Sequence, residues 1–332
     1  MEFASRLGLA YLTPREFDKH HEAIQAHALG VVVFSAHRPP RFATNCPLVE
    51  VAMPVHDGDA WYEVWTTSQP ISYSAQGAVA SARSDEVLFG SLQVQETQGA
   101  SLDSLIYAAY TKLFDFVDHE GYGNLLRIWH YLPHITEDAD GLERYHRFSA
   151  GRHEAFMAKR GGVGQPPAAC ALGSQGGPLI IYFITARGSS GTPVENPRQM
   201  SAYRYPRQYG SRSPTFSRAS LASPGGDPLL FISGTASIVG HQSMHLGDPA
   251  AQTHETVANI RALLAQTSEA GFQPAHNGLR LKVYVRHAEH FSVVRDIVTE
   301  SFGPLTQAVY LQADICRAEL LLEIEGICLA AT

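Results

Sequence analysis

The sequence predicts an α+β fold in which one β-α-β-α-β-β unit occurs twice, as two domains side by side. A chain of 332 residues is longer than a single hydrophobic core usually extends. Apolar residues follow strand and helix periods in the same order in both halves of the chain, which indicates an internal duplication. Strands that alternate with helices also require a sheet with helices on at least one face.

The repeated unit can be followed element by element. The opening strands begin at Leu88 and Leu230, an offset of 142 residues (230 − 88). A helix follows in each half, and a glycine ends it, Gly121 in the first and Gly271 in the second. The remaining elements are a strand (126–131 and 279–284), a second helix (142–159 and 291–302) and closing apolar strands (179–185 and 320–324).

The predicted domains are residues 1–190 and 191–332, and the strand-rich first ~80 residues are expected to extend the first domain. The chain has no apolar stretch near the roughly 20 residues that span a bilayer, and its N-terminus lacks the pattern of a secretory signal. We therefore expect a cytoplasmic protein without a membrane partner. The four cysteines have no paired framework, which suits a reducing compartment without disulfides.

No metal or organic cofactor is predicted. The 16 histidines do not form a pattern typical of zinc ligands. The sequence also lacks a nicotinamide-binding fingerprint and a Walker loop.

The segment from Glu195 to Arg218 combines arginine, tyrosine, glycine and proline, and it is predicted to form a shaped, cationic loop. Arginine can hold a carboxylate or phosphate through two parallel hydrogen bonds, so a small dianion is one candidate ligand. A surface loop paired with acidic residues is an equally good interpretation. Binding of single-stranded nucleic acid uses the same residue types, but the net charge of −7 argues against it.

The closing strand of the second half carries a pair of carboxylates. At an offset of 141 residues (320 − 179), Glu323 and Glu325 align with Tyr182 and Ile184. They share one face of the strand, which is either a solvated sheet surface or the wall of a polar pocket. In a partly apolar pocket the pKa of such a carboxyl group would rise, as a general acid requires.

Two more residues could belong to this pocket. Cys316 lies seven residues before Glu323 (323 − 316), although most free cysteines are simply buried hydrophobes. Gly234 interrupts the opening strand, which marks either close approach of a ligand or backbone, or a β-bulge.

Several motifs together resemble those of the chorismatase family over nearly the whole chain. They are the segment from Glu195 to Arg218, Arg147 to Arg152, Gly121 to Asn124, Asp314 to Arg317 and Leu322 to Glu325. The repeated half also looks like the smaller Rid (YjgF-like) fold, in which three copies usually assemble with sites at their interfaces. A fused tandem chain would satisfy part of that interface internally, and we expect a monomer.

The resemblance implies cleavage of chorismate, whose enolpyruvyl ether is released as pyruvate. It assigns the proton donor to Glu323. It also implies a hydroxybenzoate-forming branch, because glycine at 234 and cysteine at 316 occur together. The expected product is 3-hydroxybenzoate, alone or with 4-hydroxybenzoate, and Cys316 would assist aromatisation.

The substrate's carboxylates are expected to bind arginines of the cationic loop and its surroundings. We assign this role to Arg212, Arg218 and Arg152, with Tyr209 positioning the ring or one carboxylate. Three alternatives stay open: hydrolysis of chorismate to a dihydroxycyclohexadiene carboxylate, a Rid-like enamine or imine deaminase, and a non-catalytic module that binds a metabolite or RNA.

Overall fold

The computed structural model describes residues 5–37, 44–139 and 141–331. Its α-helices are α1 (Pro14–Lys19), α2 (His21–His27), α3 (Leu102–Glu120), α4 (Arg144–Arg160), α5 (Pro249–Glu269) and α6 (Phe291–Phe302). The strands of the first part are β1 (Gly8–Leu12), β2 (Ala28–Ser35), β3 (Leu48–Ala52), β4 (Ala60–Thr66), β5 (Ser72–Gln76), β6 (Val79–Arg83), β7 (Val87–Val94), β8 (Asn124–Pro133), β9 (Asp138–Ala139), β10 (Leu142–Glu143), β11 (Ala168–Ser174) and β12 (Leu179–Ala186). Those of the second part are β13 (Thr192–Val194), β14 (Ala219–Ala222), β15 (Leu229–Thr235), β16 (Ile238–Val239), β17 (Gln242–Ser243), β18 (Pro274–Val285), β19 (Gln307–Gln312) and β20 (Leu322–Ala330).

Two six-stranded sheets repeat one topology. The first has the order β11-β8-β12-β7-β6-β5, and the second has the order β19-β18-β20-β15-β14-β13. In each sheet one pair is parallel, β8 with β11 and β18 with β19, and a helix lies between those two strands in the chain. The predicted α+β class and tandem duplication are therefore confirmed, and the complete unit has two further strands before the predicted one.

Glycine and proline mark the ends of the two long amphipathic helices, α3 and α5. Helix α3 ends at Gly121, whose φ of 78° is a left-handed conformation that costs glycine little. Helix α5 begins with Pro249, and the Asp248 side chain accepts a hydrogen bond from the Ala251 amide. No helix in the described ranges has the length and apolar character needed to cross a membrane.

The strand-rich N-terminal region divides between two sheets. Its first four strands form a separate sheet, whereas β5 and β6 extend the first six-stranded one. The order of the separate sheet is β1-β4-β2-β3, with β2 and β3 parallel. This order matches the four strands β7-β12-β8-β11 of the first six-stranded sheet, and helices α1 and α2 occupy the place of α3. The N-terminal region is thus a third, shortened copy of the unit. The domain boundary near residue 190 stays a prediction.

The three sheets enclose one shared core, and the helices lie outside it. Inward-facing residues of all three sheets pack together, among them Trp65, Trp129 and Phe231. The outer face of each sheet packs separately against its own helices. A functional residue placed where two sheets meet can therefore be held by both.

At the centre, one residue from each of three corresponding strands meets the others. Glu63 of β4, Tyr182 of β12 and Glu325 of β20 lie within hydrogen-bonding or ion-pairing distance of Lys282, whose Nζ is 2.6 Å from Glu63, 2.9 Å from Tyr182 Oη and 2.9 Å from Glu325. Arg127 also forms an ion pair with Glu325. The two cations and the two carboxylates offset one another in charge, although Arg127 Nε and Nη1 have no hydrogen-bond partner among the described residues.

The strand pairing corrects the alignment of the two halves by two residues. Tyr182 lies opposite Trp129, and Glu325 lies opposite Lys282, which is the residue that matches Trp129. Tyr182 therefore corresponds to Glu325, and Glu323 corresponds to Ile180. Of the two six-stranded copies, only the second carries carboxylates at these positions, and the N-terminal copy has Glu63 where the second has Glu325.

Candidate active site

A cavity of about 230 Å³ lies where the two six-stranded sheets meet. Strand β11 and helix α4 supply one wall, while β15, β20 and the segment 205–218 supply the other. The walls are joined directly, because the Ala169 amide of β11 donates to Ser233 Oγ of β15 over 2.9 Å. Six predicted site residues line this cavity: Arg152, Tyr209, Arg218, Gly234, Cys316 and Glu323.

Glu323 is a buried carboxyl group facing this cavity. It is 4% exposed and pairs across the sheet with Tyr284. Burial raises its pKa to about 8, although the charges of Arg127 and Arg218 oppose the rise. Glu323 is therefore protonated at neutral pH and can act as a general acid.

Gly234 is required by the position of that carboxyl group. The register of β15 against β20 shifts between Ile232 and Thr235, so the predicted bulge and the predicted close approach occur together. A Cβ atom at position 234 would lie 1.9 Å from Glu323 Oε1 and 3.2 Å from Cys170 Cβ. Any larger residue would displace the acid.

Arg152 and Arg218 present unsatisfied donors beside the acid. Each is 3% exposed. Within the described part of the chain, Arg152 Nε and Nη2 and Arg218 Nε have no hydrogen-bond partner. The other contacts of Arg218 fix it in place, because Nη2 donates to the Met200 carbonyl over 2.6 Å and to Tyr205 Oη over 2.8 Å. Buried donors without partners are rare, and two such arginines in one cavity indicate an anion site.

Tyr209 lines the cavity, and contacts with His241 and Arg317 hold its side chain there. Its hydroxyl is 3.1 Å from His241 Nδ1, and the Arg317 guanidinium lies 4.0 Å from its ring centroid. Arg317 in turn donates to the His241 carbonyl over 3.0 Å. This network orients the Tyr209 ring and places a third cation at the cavity wall.

Cys316 and Cys170 both contribute thiols to the cavity. Burial, together with the neighbouring Glu323, raises the pKa of Cys316 to about 12. The thiol therefore stays protonated at neutral pH, so Cys316 can donate a proton or fill space but is not a thiolate nucleophile. All four cysteines are free.

Arg212 does not reach the cavity, contrary to the sequence expectation. It is exposed and forms an ion pair with Glu154 on α4, with Arg212 Nη2 2.8 Å from Glu154 Oε1. Arg204 and Arg207 are exposed as well, and Arg198 pairs with Glu255. These four arginines thus match the interpretation as a surface loop, whereas the buried Arg218 matches the interpretation as an anion site. The difference is burial, which residue type alone does not reveal.

Several lining residues were not predicted. They are Glu143, Tyr145, His146, Cys170, Tyr205, Phe216 and Arg317. Tyr205, Phe216 and Arg317 lie inside the motifs that carry the family resemblance and could have been found there. Glu143 follows no motif: burial and the nearby Glu319 raise its pKa to about 7, and Arg317 opposes that rise.

A protonated carboxyl group and buried arginine donors in one cavity are typical of an enzyme that acts on a small anion. A family model described as chorismatase FkbO/Hyg5-like, N-terminal, matches residues 63–185. A chorismatase from Streptomyces rapamycinicus is 38% identical over 313 residues, which are 90% of this chain and 92% of that protein. A 3-hydroxybenzoate synthase from Streptomyces hygroscopicus is 36% identical over 310 residues, 90% of this chain and 91% of that protein.

A solved structure agrees with these sequence matches. A crystal structure of a chorismatase superposes with a TM-score of 0.88 at 31% identity, covering 98% of each chain. This chain belongs to the chorismatase family, as its motifs indicated.

Proposed function

We propose that this enzyme cleaves chorismate to pyruvate and 3-hydroxybenzoate, alone or together with 4-hydroxybenzoate. The observation that carries the proposal is the protonated carboxyl group of Glu323 in the same cavity as the free donors of Arg152 and Arg218. Chorismate has two carboxylates and an acid-labile enol ether, so it needs both features. The names of the similar proteins, chorismatase and 3-hydroxybenzoate synthase, support the same reaction.

The first chemical step is protonation of carbon. Glu323 transfers its proton to the terminal methylene carbon of the enolpyruvyl group, and an oxocarbenium ion forms. Arg152 and Arg218 hold the two carboxylates, and this binding retains the substrate in the cavity that contains the acid. Water then adds to the oxocarbenium carbon, and the hemiketal releases pyruvate and leaves a hydroxyl group on the ring.

The second step is aromatisation. The ring now carries two neighbouring hydroxyl groups, and loss of one of them as water with the proton on the adjacent carbon gives a hydroxybenzoate. The water consumed in the first step balances the water released here. Departure of the hydroxyl from C4 gives 3-hydroxybenzoate, whereas departure from C3 gives 4-hydroxybenzoate. Cys316, which keeps its proton, is placed to protonate the departing hydroxyl.

The test is to incubate purified protein with chorismate in metal-free buffer, with a pyruvate assay and chromatographic identification of the aromatic products. Pyruvate and 3-hydroxybenzoate in equal amounts are expected if the 3-isomer is the sole product. Release of pyruvate with the dihydroxycyclohexadiene carboxylate would support the hydrolytic alternative. Untouched chorismate would refute the proposal and favour a deaminase or a binding module.

A variant separates catalysis from binding. Glu323→Gln should abolish pyruvate release while chorismate still binds, because the amide cannot donate the required proton. Glu300→Gln, on an exposed position of α6, is the matched control and should retain full turnover. Near-normal turnover by Glu323→Gln would remove the acid from the mechanism.

Two broader features complete the proposal. The third, shortened copy of the unit packs against both complete copies, so the chain has internal partners for its inward sheet faces. This favours a monomer. The four free cysteines fit a reducing cytoplasmic compartment.

A further inference from the structure

Arg152 is held from behind by a pair of buried residues on neighbouring elements. Tyr110 of α3 and His130 of β8 are both 0% exposed, and Tyr110 Oη lies 2.5 Å from His130 Nε2. The Arg152 guanidinium lies 5.5 Å from the Tyr110 ring centroid and 5.6 Å from that of Phe156. The tyrosine and the histidine thus form a buried pair beside the Arg152 guanidinium.

The direction of the hydrogen bonds follows from one carbonyl group. His130 Nδ1 is 2.6 Å from the main-chain oxygen of Cys170, which can only accept, so Nδ1 carries the proton. Burial lowers the pKa of His130 well below its usual value, with the nearby Arg152 charge acting in the same direction. Nε2 of this neutral ring is an acceptor, and the Tyr110 hydroxyl donates to it. The lone pairs of Tyr110 Oη are then left for a cation.

That cation is Arg152. Its charge and a hydrogen bond from its side chain both oppose the rise in the pKa of Tyr110, which burial brings to about 12. With one part of the guanidinium held at this hydroxyl, Nε and Nη2 remain without partners beside the cavity. A guanidinium with one satisfied edge and one free edge is oriented for bidentate binding of a carboxylate.

We propose that Tyr110 and His130 are positioning residues that aim the free edge of Arg152 at a carboxylate of the substrate. The chain runs from the Cys170 carbonyl through His130 and Tyr110 to Arg152, and it connects β11, β8, α3 and α4. Because Cys170 also lines the cavity, both ends of the chain lie at the site. This inference rests on the proposed cleavage of a dicarboxylate.

The test compares two tyrosine variants. Tyr110→Phe removes the hydroxyl that links His130 to Arg152. Tyr122→Phe is a matched control, because Tyr122 is 1% exposed, its hydroxyl donates to the Ser84 carbonyl over 2.5 Å, and an arginine, Arg187, lies 4.7 Å from its ring centroid. Tyr122 is not among the residues that line the cavity.

The substrate carboxylates keep their charge during protonation of the enol ether, so Arg152 binds ground state and transition state alike. A misaimed Arg152 should therefore raise KM and leave kcat nearly constant. We expect KM for chorismate to rise about tenfold in Tyr110→Phe, as for loss of one well-directed charged hydrogen bond. KM and kcat of Tyr122→Phe should match the wild type, even if both variants melt at lower temperature.

Unchanged KM in Tyr110→Phe would overturn the inference, and so would an equal rise in both variants. A crystal structure of Tyr110→Phe is the second readout and does not depend on the substrate. A guanidinium of Arg152 turned away from the cavity supports the positioning role, whereas an unmoved one refutes it. If the wild type does not release pyruvate from chorismate, the proposed function fails, and the crystal structure still decides the role of Tyr110.

Discussion

Replacing Glu323 by Gln is expected to stabilise the protein near pH 8 while abolishing catalysis. The pKa of Glu323 is about 8 in the folded protein, against an ordinary value of 4.5. The folded state therefore binds the proton more tightly than the unfolded state. Below pH 4.5 both states are protonated and no penalty exists, but the wild type loses stability as the pH rises from 4.5 to 8. Glutamine has no proton to lose and escapes this penalty.

The size of the effect follows from the two pKa values. The difference is 3.5 units (8 − 4.5), which corresponds to about 5 kcal/mol of unfolding free energy at 1.36 kcal/mol per unit. The stability difference between Glu323→Gln and the wild type should thus grow from near zero at pH 4.5 to about this value at pH 8. Urea unfolding followed by fluorescence of the three tryptophans would measure it.

Other titrating groups cancel in this comparison, because they are common to both proteins. The exposed control Glu300→Gln should keep the pH dependence of the wild type. If Glu323→Gln and the wild type lose stability in parallel between pH 5 and pH 8, the carboxyl group is not protonated in the folded state. The same reasoning predicts that kcat/KM is constant below about pH 8 and falls above it, since only the protonated acid reacts.

Three further substitutions test the cavity. Gly234→Ala should lower kcat about 100-fold, because Glu323 must move by about 1.5 Å (3.4 − 1.9) to reach ordinary contact with the new methyl group; turnover within twofold of the wild type would contradict this. Cys316→Ala should shift the product from hydroxybenzoate towards the non-aromatic diol, as seen by chromatography, and an unchanged product profile would remove the cysteine from the aromatisation step. Arg218→Ala should raise KM for chorismate at least tenfold, whereas Arg212→Ala should leave it nearly unchanged, and equal effects would place both arginines at the substrate.

The architecture was predictable from the sequence because its signals are local and occur twice. Amphipathic periods and helix-ending glycines such as Gly121 identify each element without any knowledge of its neighbours. The third copy escaped notice because, among the residues that the structure describes, it has neither a second helix nor the first two strands of the unit. Its two short helices, α1 and α2, also give weaker periodic signals than the single long helix α3.

The site was only partly predictable because burial decides which residues act. Arg212 and Arg218 are the same residue type in one segment, but Arg218 directly precedes β14 and is held against the sheet. Arg212 lies in an irregular stretch and pairs with Glu154. Tyr145 and Cys170 reach the cavity only through the contact between the two sheets, and spacing along the chain does not reveal such a contact.

Comparison of the three copies shows that the acid Glu323 occurs in only one of them. Glu63, Tyr182 and Glu325 occupy corresponding strands around Lys282 at the centre. The two glutamates pair with its charge, and the Tyr182 hydroxyl accepts a hydrogen bond from it. Two residues earlier on the same strands lie Trp61, Ile180 and Glu323. Only the last of these carries a carboxyl group, and it lines the cavity together with residues of β11, the edge strand of the first six-stranded sheet.

The copies of the unit therefore differ at the position of the acid. One interface between copies keeps a protonatable group, while the corresponding positions of the other two copies hold apolar or aromatic side chains. Fusion into one chain allows this difference, because identical subunits would have to repeat every residue at every interface. The proposed reaction needs an acid and a pair of arginines, and different copies of the unit provide these residues. Glu323 and Arg218 belong to the second six-stranded unit, and Arg152 belongs to the first.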